Sequence, residues 1–73
     1  MANIKYEIIK EIGVIGESEN GWSKQINLIS WNNGEPKYDI RAWAPNRESM
    51  GKGLTLTAAE LQALTDLLND IEL

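Results

Sequence analysis

The chain has no cysteine and no histidine. Without cysteine there are no disulfide staples and no thiolate metal sites. Without either residue the usual nucleophile and proton-shuttle pairs cannot be built, and no two carboxylates stand in a recognisable catalytic or metal-ligand spacing. The sequence therefore predicts a non-enzymatic protein with no cofactor and no metal. No apolar run approaches the roughly twenty residues of a membrane-spanning helix, and no signal-peptide pattern opens the sequence. A cytoplasmic protein with no membrane partner is expected. Positive charge is scarce, with 7 Lys and Arg against 11 Asp and Glu and a net charge of −4. That balance excludes a generic polycation, but not a local concentration of positive charge on one face. Phenylalanine is absent as well, while three tryptophans are present.

At 73 residues the chain makes one domain, residues 1–73, of ordinary globular composition, 42% hydrophobic and 25% charged. A domain this short leaves much of its surface exposed and draws only marginal stability from its own core. With no crosslink available, oligomerisation is the expected additional support. The charge is distributed unevenly. Residues 21–56 hold all three tryptophans and carry a net +2, from Lys24, Lys37, Arg41, Arg47 and Lys52 against Glu35, Asp39 and Glu48. The first twenty residues net −2 and the last seventeen net −4. A basic, aromatic middle lies between acidic ends. Interleaved cations and flat rings are what a surface needs to hold a phosphate backbone while stacking on unpaired bases.

Alternation of Ile4, Tyr6 and Ile8 against Lys5 and Glu7 predicts a first strand from Ile4 to Ile15. The pattern slips at Ile8-Ile9, so the strand should bend or bulge near Gly13. Residues 16–21, rich in Gly, Ser and Asn, read as a turn. A second strand runs from Trp22 to Trp31, with neither face cleanly apolar. Asn32-Asn33-Gly34 is a hairpin turn, because Asn and Gly accept positive φ cheaply. The third strand, Pro36 to Ala44, puts Tyr38, Ile40, Ala42 and Ala44 on one face and Lys37, Asp39, Arg41 and Trp43 on the other. A loop over Pro45 to Gly51 and a short strand over Lys52 to Leu56 follow. Thr57 and Glu60 form a capping box for a helix from Ala58 to about Ile71, with Leu61, Leu64, Leu68 and Ile71 on one stripe. The fold class is α+β: a four-stranded antiparallel sheet followed by one C-terminal helix. The leucine stripe either covers this sheet or partly faces the same helix of a second chain.

Two readings fit the row Lys37, Arg41 and Trp43. It is a phosphate-neutralising and base-stacking row, or a solvated outer face on which Asp39 and Arg41 balance each other. Each tryptophan likewise serves as a ligand platform or as part of the core. Trp31 and Trp43, on strands joined by a tight turn, are better stacking candidates than Trp22. Gly51-Lys52-Gly53 lacks the remainder of any nucleotide-loop fingerprint and reads as a flexible basic contact.

The segments Tyr38-Asp39-Ile40-Arg41-Ala42-Trp43 and Gly51-Lys52-Gly53-Leu54-Thr55-Leu56-Thr57, followed by a Leu-rich helix, resemble the transcriptional coactivator p15 (positive cofactor four) family. Gly21-Trp22 and Ser30-Trp31-Asn32 are similar to its small bacterial, YdbC-like branch. The resemblance implies a β-β-β-β-α homodimer that binds single-stranded DNA on its sheets, largely without sequence preference. By position it assigns Arg41, Trp43 and Lys52 to the basic and aromatic contacts and places Trp31 near an aromatic before the central hairpin. The eukaryotic coactivator carries a tryptophan one place after Trp43, where this chain has Ala44, and its Ser- and Lys-rich tail has no counterpart here.

The combined expectation is a homodimer joined through Leu61, Leu64, Leu68 and Ile71. Lys24, Lys37, Arg41, Lys52 and the loop residue Arg47 would contact phosphates, and Trp31, Trp43 and Trp22 would stack on bases of single-stranded DNA. The alternatives are a dimeric protein-interaction module whose tryptophans mark a protein interface, and a single-stranded RNA-binding accessory with the same surface.

Overall fold

The computed structural model describes residues 5–73. The chain forms β1 (Tyr6–Glu17), β2 (Ser23–Trp31), β3 (Lys37–Trp43), β4 (Met50–Leu56) and α1 (Ala58–Leu68). Every adjacent pair of strands is antiparallel, and the sheet order β1-β2-β3-β4 follows the chain. The expected β-β-β-β-α fold is thus present. A tight turn over Pro45–Arg47, left-handed at Asn46 and Arg47, interrupts the β3–β4 loop, and β4 starts at Met50 rather than Lys52. The expected strand start at Ile4 lies outside the described residues.

β1 carries the distortion that its sequence announced. Its register against β2 shifts between Ile8 and Lys10, between Glu11 and Gly13, and between Val14 and Gly16. One residue is left over each time, so Ile9, Ile12 and Ile15 have no counterpart on β2. Each extra residue bends a strand and raises its twist. The strand also runs two residues beyond Ile15, and the following turn is closed by Ser18, whose amide donates to the Trp22 carbonyl at 2.8 Å. Gly21 takes φ +87°, and a Cβ there would press on the Pro45 ring. The central hairpin turns at Asn32 (φ 51°) and Asn33 (φ 62°), with the Gly34 amide donating to the Trp31 carbonyl at 2.8 Å. Two consecutive positive φ values give this turn the twist of the strands it joins.

The curl of the sheet can be read from one contact. Tyr6 is paired with Trp31 and Trp43 with Ser23, positions far apart along β2. Yet the Tyr6 and Trp43 rings meet with centroids 5.4 Å apart. Only a strongly coiled sheet brings them together, so the face that carries both is concave. Pairing of Asn27 with Asp39, Gln25 with Arg41 and Ser23 with Trp43 puts these residues on that face. Lys24, Ile26 and Leu28, opposite Ala42, Ile40 and Tyr38, point the other way.

Burial is the reverse of what residue type suggests. Among the described residues the fully buried side chains are Ile29, Trp43, Asn27 and Asp39, all on the concave face. On the more apolar convex face Ile26, Leu28 and Ile40 are only half-buried, and Leu54 is 51% exposed. The capping box of α1 forms in both directions: the Glu60 amide donates to Thr57 Oγ1 at 3.1 Å and the Thr57 amide to Glu60 Oε1 at 2.8 Å. The helix packs against β3 and β4 and ends at Leu68, three residues earlier than expected. Leu61 and Leu64 are half-buried, whereas Leu68 and Ile71 remain about half exposed.

Trp43 therefore belongs to the core and not to an exposed stacking row. Trp43→Ala should cost about 3–5 kcal/mol, the usual loss for removing a buried aromatic, against a total of about 5–15 kcal/mol for a small domain. A urea transition that falls sharply and loses cooperativity is expected; an unchanged midpoint would contradict this packing.

Candidate nucleic-acid interface

Asp39 and Arg41 stand two apart on β3, so both side chains rise on the concave face. Their pairing is bidentate, Nε to Oδ1 at 2.7 Å and Nη2 to Oδ2 at 2.7 Å. Asp39 is fully buried, and the Arg41 side chain is 14% exposed. Nη1 of Arg41 reaches Met50 Sδ and the Gly51 carbonyl, each at 3.4 Å. Space for this arrangement comes from Gly53, paired with Arg41 across β4, where a Cβ would collide with Arg41 Cβ and the Ile40 carbonyl. Gly53 is thus a close-approach residue rather than part of a flexible loop.

Held flat by Asp39, the guanidinium lies over the Trp31 ring, with Cζ 4.7 Å from its centroid. Tyr6 tilts against the same indole at 5.7 Å and 45°. Cation–π attraction and aromatic contact both favour this stack. The stack borders a groove of about 540 Å³ whose lining includes Trp31, Asn32, Glu35, Lys37, Arg41, Met50 and Thr55. Lys37 is exposed at its rim. The groove therefore combines an aromatic ring, a planar cation, an exposed ammonium group, neutral hydrogen-bonding side chains and one carboxylate, that of Glu35. Guanidinium planes and indole rings both stack on unpaired bases, and ammonium groups neutralise phosphates.

The expected contact residues divide. Trp31, Lys37 and Arg41 come together in this groove. Trp22 and Lys24 line a second groove of about 430 Å³ with Ala42 and residues at the end of β1, on the side away from Arg41. Lys52 is exposed, in the irregular stretch between Gly53, paired with Arg41, and Met50, paired with Trp43.

Two of the expected contacts need correction. Trp43 is wholly enclosed, because the curled sheet lays Tyr6 on one side of it and the β3–β4 loop returns over it. Arg47 is not a free loop cation. Asn46 and Arg47 both adopt left-handed backbone, at φ 58° and 56°, which turns the Arg47 side chain back across the sheet. There it pairs with Glu11, donates from Nη2 to the Gln25 side-chain oxygen at 3.1 Å, and lies 6.0 Å from the Trp43 ring centroid. Arg41 keeps its place at the groove, but its charge is already compensated by Asp39.

Tyr6, Met50, Thr55 and Asn32 were missed as groove or platform residues. Tyr6 stood out only as an inward position of an alternating strand, and its proximity to Trp31 depends on sheet pairing.

Fold and groove together define a class: small β-β-β-β-α domains with an aromatic and cationic patch on a curled sheet. Residues 18–67 match the family model described as Transcriptional Coactivator p15 (PC4), and the chain belongs to that family. The family is known for binding single-stranded DNA. The chain is also similar to a protein of Treponema pallidum (strain Nichols) described as uncharacterized, at 53% identity over 68 residues, covering 93% of this chain and 80% of that protein.

Arg41→Ala leaves a buried carboxylate without its partner and should cost about 3–5 kcal/mol of stability. Replacing both charges, as Asp39→Asn with Arg41→Met, should recover most of that loss in urea melts. Equal destabilisation by the single and double variants would show that the pair is not the source of the cost.

Proposed function

We propose that this protein is a non-enzymatic, cytoplasmic, single-stranded DNA-binding protein of the YdbC-like branch, acting as a homodimer with little sequence preference. The observation that carries this reading is the Trp31–Arg41 stack at a groove rimmed by Lys37. Both members of the stack offer a π-surface that any base can use, which accounts for recognition without sequence. Membership of the family supports the same conclusion. The sequence, with neither Cys nor His, offers little acid–base or nucleophilic chemistry and favours a binding role.

Support for a dimer comes from apolar surface left uncovered. Leu54, Leu67, Leu68 and Ile71 are each at least half exposed, in a domain too small to neglect such area. Leu68→Asp should convert a dimer into monomers in sedimentation at micromolar concentration. A wild-type protein that sediments as a folded monomer would remove this part of the proposal.

Binding is tested by titrating intrinsic tryptophan emission with an unstructured oligothymidylate. Quenching is expected, and Trp31→Ala should weaken binding by about 1–3 kcal/mol, the loss of one base–aromatic stack. With Lys37 and Lys52 as the uncompensated cations, log K should fall against log salt with a slope of roughly −1.4, at about −0.7 for each contact on a single strand. Lys37→Ala should flatten it by about one contact. Duplex DNA should bind more weakly because its bases are already stacked. Oligouridylate binding more tightly than oligothymidylate would favour the RNA reading. No quenching and no salt dependence with either would favour a protein interface.

A further inference from the structure

Arg47 and Glu11 form an ion pair across the concave face, between the β3–β4 loop and the bulged edge strand. The pair is lopsided. Glu11 and Gln25 both engage Nη2 of Arg47, while Nε, buried beside them, has no acceptor. A guanidinium whose neighbouring Nε and Nη donors face the same way is suited to two oxygens of one anion, and here only one of the two donors is used. The carboxylate that occupies it is weakly held: the Glu11 side chain is 69% exposed and that of Arg47 31%. Exposed ion pairs contribute little and exchange readily. The guanidinium itself is fixed, since two consecutive left-handed residues aim it across the sheet and the Trp43 ring lies beneath it. Glu11 sits on β1, outside the matched residues 18–67.

Resting on the single-stranded DNA reading, we propose that Arg47 is an occluded phosphate-binding residue whose place is held by Glu11 until a backbone phosphate replaces the carboxylate. A phosphodiester offers two non-bridging oxygens, which accept from Nε and Nη2 together and so satisfy the donor that Glu11 leaves empty. The released carboxylate is exposed and returns to water at little cost. Glu11 is then an affinity-limiting residue: it competes with the ligand for Arg47 and reduces the number of counterions released on binding.

The test compares oligothymidylate binding by the intact protein and its variants at several salt concentrations. Glu11→Gln should tighten binding about twofold to fivefold at low salt and steepen the salt slope by about 0.7. Glu7→Gln removes the same charge from the same strand, from a residue paired with Ser30 and not with Arg47. It should change affinity much less. In an Arg47→Gln background, Glu11→Gln should give no further gain. The inference is overturned if Glu11→Gln leaves affinity and slope unchanged while the wild type binds. It is equally overturned if Glu7→Gln matches the gain, or if the gain persists without Arg47. Failure of the wild type to bind single strands at all is a different result, since it overturns the proposed function and this inference with it.

Discussion

The Asp39–Arg41 pair sets the terms for the concave face. Burying a carboxylate completely is costly unless a partner and further hydrogen bonds compensate it. Here the compensation is bidentate, and the remaining guanidinium donor finds Met50 and the Gly51 carbonyl. The pair holds Arg41 flat over Trp31, and Gly53 makes room for it. The same geometry removes Arg41 from the count of free positive charges. What the groove keeps from it is a planar surface for stacking, while the exposed Lys37 supplies uncompensated charge.

Inversion of the sheet follows from β1. Three leftover isoleucines bend the strand so that Tyr6 closes over both Trp31 and Trp43. A face made of Lys, Asp, Arg, Asn and Trp becomes the most buried part of the molecule, because curvature covers it and ion pairing neutralises it. The convex face, richer in Ile and Leu, is left only half-buried. An acidic protein can present a local cationic and aromatic surface in this way, since its acidic ends lie largely on β1 and α1. Glu11 is the exception, reaching across from β1 to Arg47.

Local chemistry was legible in the sequence where a short-range rule sufficed. The Asn32-Asn33-Gly34 turn, the Thr57–Glu60 capping box, the order of four strands and a helix, and the slip at Ile8-Ile9 each rest on neighbours a few residues apart. The balance of Asp39 with Arg41 was visible for the same reason, since residues two apart on a strand share a face. Bringing Trp31, Lys37 and Arg41 to one groove was also within reach once the hairpin was known. Helix length was less legible: the apolar stripe continues to Ile71, but the helical hydrogen bonding ends near Leu68.

Tertiary structure alone decided which face is inside. Alternation along β3 separates two sets of side chains, but period-two patterning carries no information about sheet curvature, and curvature covers the polar set. It also decided the fates of Trp43 and Arg47. Trp43 is enclosed by Tyr6, 37 positions earlier in the chain, and Arg47 is tied to Glu11, 36 positions earlier. The sequence by itself determined the elements, their order and the local clustering of cations and indoles. Contacts made across a coiled sheet depend on the summed twist of every strand between them, and no local pattern encodes that sum.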